Sequence, residues 1–195
     1  MISKTLREAF GAGVFISLGC IVNLKVGGII GAILFSFGLV SVCYYGLGLY
    51  TGTAGFFNHK SLESWKRLGI ILGGNVLGTL ASYLVCILAM PEVIEGARTI
   101  TESRIQHGII DCFLLAVGCG IIMSTAVEHY RDSKRVLPIL LGVPLFIMAG
   151  FTHSIADSFY FLSVATSGSG EVEIIWVAEV LGNLLGCRLH RIWKY

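Results

Sequence analysis

His153 stands in the run Gly150-Phe151-Thr152-His153-Ser154-Ile155-Ala156-Asp157, well inside an apolar stretch and far from either end of it. A polar group held in lipid is costly unless it is satisfied, so an ionisable residue at that depth points to function. Histidine presents a donor to an anion and changes charge near neutral pH. The flanking Gly150, Thr152 and Ser154 suggest locally opened backbone, against the plainer reading of a histidine bonded to a carbonyl. A second polar interruption, Gly48-Leu49-Tyr50-Thr51-Gly52-Thr53-Ala54, lies about a hundred residues earlier. Its Thr51 and Thr53 hydroxyls are candidate solute contacts; the alternative is a threonine bonded to its own preceding turn. Asp157 follows His153 by four residues, so helical geometry puts both on one face. A carboxylate there repels an anion unless protonated or paired, and pairing with His153 favours the charged imidazole. Arg104 reads either as an anion-attracting charge at a pore mouth or as a snorkelling side chain paired with Glu102. His107 has the same two readings. Asp111 and Glu179 read as interhelical hydrogen-bonding groups.

The elements that carry these residues are membrane spans. Of 195 residues, 55% are hydrophobic and 13% charged, with mean hydropathy +0.81. A soluble domain carries about 25% charged residues. A span needs about 20 apolar residues. Six windows qualify, at about 8–24, 27–57, 67–90, 105–127, 136–165 and 174–187 with its flanks. The second and fifth exceed one ordinary span, which means either tilt or a helix that breaks and resumes. Alternation over ten residues is missing, which argues against transmembrane strands. The six cysteines lie in or beside spans without a CxxC pair, so neither disulfides nor a metal is expected.

Charge orients the spans. With six of them, both termini share a side with the loops near 58–66 and 129–135. Eleven basic residues fall there: Lys4, Arg7, Lys60, Lys66, Arg67, Arg131, Lys134, Arg135, Arg188, Arg191 and Lys194. Only Lys25, Arg98 and Arg104 fall on the other side, Arg104 after a loop at 91–103. The positive-inside rule then puts both termini in the cytoplasm. Met1–Glu8 does not read as a cleavable signal, and the small size suggests a bacterial inner membrane. The net charge of +2 reflects topology and implies no nucleic-acid partner.

The chain reads as one domain, 1–195, that repeats itself. Gly74-Asn75-Val76-Leu77-Gly78 recurs as Gly182-Asn183-Leu184-Leu185-Gly186. Gly48 and Ala54 align with Gly150 and Ala156 at one constant offset, which also sets Thr51 opposite His153. Each half, about 6–90 and 105–193, reads as a plain span, an interrupted span and a span with GNxxG. Three spans per half is odd, so the halves insert with opposite topology, as in inverted-repeat transporters whose sites lie where matching helices break.

With these motifs in order, the sequence resembles the formate/nitrite transporter family. The resemblance runs from Gly31-Ala32-Ile33-Leu34 and Phe35-Ser36-Phe37-Gly38-Leu39 through the Thr51 break and Gly74-Asn75. It continues through Leu137-Pro138, Pro144, Phe146 and the GFxHSIA stretch to Gly182-Asn183. It implies an all-α membrane protein with an aquaporin-like fold: six helices in two inverted three-helix repeats, helices two and five broken. It also implies a homopentamer in membrane lipid, each protomer with its own pore for small monovalent anions or their conjugate acids. Formate leads, with nitrite, hydrosulfide, acetate and lactate open, and proton coupling undecided. Thr51 and His153 match the family's central polar pair, and Arg104 falls where many members have a vestibule lysine. Leu39, Leu49 and Tyr50 match the cytoplasmic constriction, and Phe35, Met123 and Phe146 the outer one. No cofactor is implied. Three positions depart from the pattern: Thr152 replaces a common glutamate, Asp157 a common asparagine, and Gly120 an asparagine of span four. Two other readings are weaker. A neutral-solute channel suits broken spans, but the chain lacks an Asn-Pro-Ala motif. An intramembrane hydrolase would need a Ser154–His153 geometry that adjacent residues do not readily make.

Overall fold

A computed structural model describes residues 2–164 and 170–193. The described residues form eight α-helices: α1 Ile2–Val26, α2 Gly28–Tyr44, α3 Tyr50–Ala54, α4 Leu62–Ala89, α5 Pro91–Ser133, α6 Leu137–Met148, α7 Ser154–Phe161 and α8 Glu171–Leu189. A 3-10 turn, His190–Trp193, follows α8. Helices α1, α4 and α5 are long and apolar enough to cross a membrane, and α2 and α6 are shorter apolar helices.

Polarity is distributed inside out. Leu88, Ile110, Leu141 and Phe37 are exposed, whereas Thr51, Asn75, Asp157, Glu179 and Asn183 are buried. Such a surface suits lipid, and every polar group inside must find a partner within the bundle. The interior also holds Phe35, Leu39, Leu49, Met123 and Phe159.

The two GNxxG runs determine how the bundle closes. They place α4 against α1 and α8 against α5. A Cβ at Gly78 would stand 2.2 Å from the Phe10 carbonyl oxygen, and one at Gly186 would stand 2.0 Å from that of Val117. Small residues let backbones approach this closely. The approach brings each asparagine within reach of its neighbour's carbonyl. Asn75 Nδ2 donates to Ala9 O at 2.8 Å, and Asn183 Nδ2 donates to Ala116 O at 2.8 Å.

The segment 91–103, expected as a loop, is helical and belongs to α5. Pro91 at the first position and Glu92 in the first turn favour a helix start. Val93, Ala97 and Thr101 recur at four-residue spacing and are buried. Lys25 at the end of α1 pairs with Glu92 at 2.5 Å. The helix breaks at Gly108 (φ 76°, ψ 178°), a conformation that glycine adopts without strain. Arg104 therefore projects from the last turn of a surface helix. The loops expected at 58–66 and 129–135 are shorter, because α4 begins at Leu62 and α5 runs to Ser133. The end of the window 136–165, the termini of the 1–195 domain and Lys194 lie outside the described residues.

Candidate functional site

Two short helices begin at the centre of the bundle. α3 follows an extended N-cap residue, Leu49, and α7 follows an extended N-cap residue, His153. One asparagine grips each start. Asn75 Oδ1 accepts from Tyr50 N at 2.8 Å, and its Nδ2 donates to Gly48 O at 2.8 Å. Asn183 Oδ1 accepts from Ser154 N at 2.9 Å, and its Nδ2 donates to Thr152 O at 3.1 Å. Each asparagine thus spans the residue between its two contacts, Leu49 in one case and His153 in the other. By this correspondence Leu49 is the counterpart of His153. The glycine offset in the sequence, which sets Thr51 opposite His153, is two residues out of register with the backbone.

Thr51 and His153 nevertheless meet, with Oγ1 and Nε2 2.9 Å apart and both residues buried. The proton assignment follows from the other ring nitrogen. Ala156 N donates to His153 Nδ1 at 3.2 Å, and an amide only donates. Nδ1 is therefore the acceptor, and in the neutral ring the proton sits on Nε2. Nε2–H then donates to Thr51 Oγ1, which leaves the threonine hydroxyl with a proton to give. A second ring proton, on Nδ1, would confront the Ala156 amide. Asp157 N donates to His153 O at 2.8 Å, and Trp176 Nε1 donates to Ser154 O at 2.8 Å, which fixes α7 further. With Ser154 N, Ala156 N and Asp157 N all engaged, the start of α7 offers few amides to a solute.

Two cavities approach this pair, one lined by His153 itself and the other by Leu49 and Gly52. One, of about 200 Å³, is lined by Phe35, Arg104, Phe146, His153 and Asp157 among others. The other, of about 220 Å³, is lined by Leu39, Leu49, Gly52, Arg131 and Lys134 among others. α2 contributes Phe35 to the first and Leu39, one turn on, to the second. α5 contributes Arg104 to the first and Arg131 to the second. Phe146 stands between Phe35 and His153: its ring meets Phe35 edge-on at 6.0 Å and stacks on His153 at 5.7 Å. Met123 is buried in the core without lining either cavity. Tyr50 is also buried, with its hydroxyl donating to Val180 O at 3.0 Å. Thr53 lines a further cavity beside Arg131, with Gly48 and Phe56.

The acidic residues differ from expectation. Asp157 pairs with Arg104 and not with His153: Arg104 Nε donates to Asp157 Oδ2 at 3.1 Å. Arg104 Nη1 also donates to Gly150 O at 3.1 Å, so Glu102 is not its partner. Helical spacing puts Asp157 below His153, but the His153 ring turns back to cap its own helix and the carboxylate faces α5. Glu179 was expected to bridge helices. It is buried, with neither carboxyl oxygen in a hydrogen bond of good geometry. Ser154 Oγ has no hydrogen bond either, so no serine–histidine dyad exists. His107 is exposed.

Sequence reasoning missed the clamp role of Asn75 and Asn183, although the repeated GNxxG runs had marked them. Polar amides recurring in apolar spans carry the same signal as a buried histidine. Arg131 and Lys134 had entered only the charge count.

An all-helical fold with an apolar exterior and buried polar residues defines a helical membrane protein. The chain matches the family described as "Formate/nitrite transporter" over residues 1–191, and it belongs to that family, one of transporters and channels and not of enzymes. It is 26% identical to the formate-nitrite transporter of Plasmodium falciparum (isolate 3D7), over 93% of this chain and 72% of that protein. It is 29% identical to the formate-nitrite transporter of Plasmodium knowlesi (strain H), over 77% of this chain but only 55% of that protein. The fold is similar to a solved structure titled "Pentameric formate channel with formate bound", with a TM-score of 0.82 and 20% identity over 99% of this chain and 96% of that one.

Proposed function

We propose that this chain is a membrane channel or transporter for small monovalent anions or their conjugate acids, with formate the leading substrate. The observation that carries the reading is the buried Thr51–His153 hydrogen bond, with one cavity lined by His153 and another by Leu49 and Gly52. Family membership and the name of the pentameric formate channel support the same reading. The chain acts as a single domain of six spans in two inverted repeats, about 6–90 and 105–193, whose second and fifth spans break before α3 and α7. It assembles as a homopentamer in a plasma membrane, with both termini in the cytoplasm.

An anion enters past Arg104 at the outer mouth. It then passes the aromatic constriction of Phe35 and Phe146, with Met123 behind it. A bare charge meets a large desolvation penalty there. The Thr51 hydroxyl, having accepted from His153, donates its proton to an oxygen of the solute, and the pair steadies it between the rings. Leu39 and Leu49 form the cytoplasmic constriction, held from behind by Tyr50. Thr53 lies beyond it, in the cytoplasmic vestibule.

Flux of formate, nitrite, hydrosulfide, acetate and lactate into proteoliposomes at several pH values tests the reading. Formate flux that exceeds glycerol flux and collapses in His153→Ala is expected. Unchanged formate flux and pH dependence in that variant would remove the central role of the pair.

A further inference from the structure

Resting on that reading, we propose that Asp157 and Glu179 form a proton-binding site in the wall of the His153 cavity, holding one proton between them. Glu179 stands in mid-α8 and is 0% exposed. No donor reaches either of its carboxyl oxygens. Its hydrogen-bonding neighbour is another carboxyl, that of Asp157. Ionised carboxylates only accept, so two of them cannot bond, whereas a protonated carboxyl has one O–H to give. A single proton therefore supplies the donor that Glu179 lacks. It turns the contact into an O–H bond to a carboxylate, which is of the short, strong kind.

Charge leads to the same count. From α5, Arg104 faces the pair together with the thiols of Cys112 and Cys119. Asp157 is also faced by Cys20 from α1 and by Tyr160 of its own helix. From α3, the Tyr50 hydroxyl bonds the carbonyl of Val180, beside Glu179. α4 brings the Tyr83 ring onto Phe159 of α7. His153, neutral in the tautomer described above, adds no charge. Among these described neighbours Arg104 is the cation, and the Asp157 carboxylate already pairs with it, Nε to Oδ2 at 3.1 Å. An ionised Glu179 would be a second, uncompensated negative charge in the interior, which is the costly case. The proton therefore resides on Glu179, whose O–H donates to Asp157. Arg104, Asp157 and protonated Glu179 then carry no net charge.

The site borders the pathway. Asp157 lines the cavity with Arg104 and His153, and Glu179 lies behind it. Release of the proton leaves a net negative charge in the wall, which repels an anion on its way to His153. Occupancy of the site thus sets how readily this cavity admits anions, independently of the His153 ring.

The test is infrared difference spectroscopy of nanodisc-embedded protein at neutral pH, wild type minus Glu179→Gln. A protonated-carboxyl stretching band that shifts on exchange into heavy water is expected in the difference, and its absence overturns the proposal. Should the variant fail to fold, the wild type alone decides. Exposed carboxyls give no such band at neutral pH, so a band that disappears on alkalinisation supports the site, and a spectrum without one overturns it. Glu179→Gln keeps a neutral donor for Asp157, so its unfolding temperature is expected near that of wild type. A large fall would mark Glu179 as a charged partner of Arg104 and overturn the proposal. In proteoliposomes, formate influx by wild type is expected to fall roughly two- to fivefold more between neutral and alkaline pH than influx by Glu179→Gln. Identical pH profiles would overturn the link to the pathway. A wild-type protein that carries none of the tested anions would instead sink the transport reading, while the infrared band would still decide the proton site.

Discussion

Arg104 Nε donates to Asp157 Oδ2 at 3.1 Å, joining the surface arm of α5 to the first turn of α7. The Asp157 side chain is 2% exposed and that of Arg104 13%. The pair is therefore shielded from salt, and each partner keeps the other from being a lone charge near the apolar interior.

Removing the carboxylate has two expected effects. Asp157→Asn loses stability by about 3 kcal/mol, the lower end of the cost of leaving a buried partner uncompensated. The same change unmasks Arg104, and formate entry from that face becomes faster and more salt-dependent. Thermal unfolding in detergent and flux at a series of ionic strengths check the two effects.

The neutral tautomer inferred for His153 is directly observable. Nitrogen-15 solid-state spectra of the labelled protein are expected to show Nε2 protonated and Nδ1 bare at neutral pH. Acidification that adds the second proton must displace the Ala156 amide, so the Ala156 resonance shifts together with the ring. Thr51→Val keeps the shape and leaves Nε2–H without its acceptor, at a cost of about 1–3 kcal/mol. A large fall in formate flux is expected with it.

The asparagine clamps are expected to matter to assembly of the site more than to the bundle. Asn183→Leu approximates the volume of the side chain and removes three hydrogen bonds, with Ser154 N, Thr152 O and Ala116 O. We expect flux to fall by an order of magnitude or more while helix content by circular dichroism stays near wild type, with thermal stability lowered. Asn75→Leu, which loses the equivalent set, is expected to behave alike.

Gly186→Ala tests the closest helix contact. The new methyl would stand 2.0 Å from the Val117 carbonyl oxygen, so α8 must move off α5. Overpacking of this kind costs about 1–3 kcal/mol. Gly69→Ala serves as the control, because nothing lies within 4 Å of its Cβ position. Unfolding temperatures of the two variants make the comparison.

Much of the architecture was legible because lipid simplifies the rules. Length and apolarity located α1, α4 and most of α5, and the polar residues within long apolar windows marked the two places where α3 and α7 begin. His153 and Thr51 stood out for the same reason: depth without an obvious partner. What failed was local. The segment 91–103 is polar enough to read as a loop, yet Val93, Ala97 and Thr101 form a stripe that a hydropathy window averages away. The partner of Asp157 was missed because helical spacing to His153 is visible in sequence, whereas a contact 53 residues away is not. The register between the halves was misjudged by two residues, because glycines and alanines align easily and carry little information. The asparagines fix the register through hydrogen bonds that only the folded chain displays.

Those clamps hold backbone on either side of one residue and do not themselves touch its side chain. The chain therefore contains two sockets gripped in the same way, one occupied by leucine at 49 and the other by histidine at 153. In design terms, chemistry has been assigned to one socket and exclusion to the other without altering either mount. Exchanging the occupants, as Leu49→His with His153→Leu, would turn the polar centre toward the opposite mouth, and the side-chain cap that His153 gives Ala156 N would go with it.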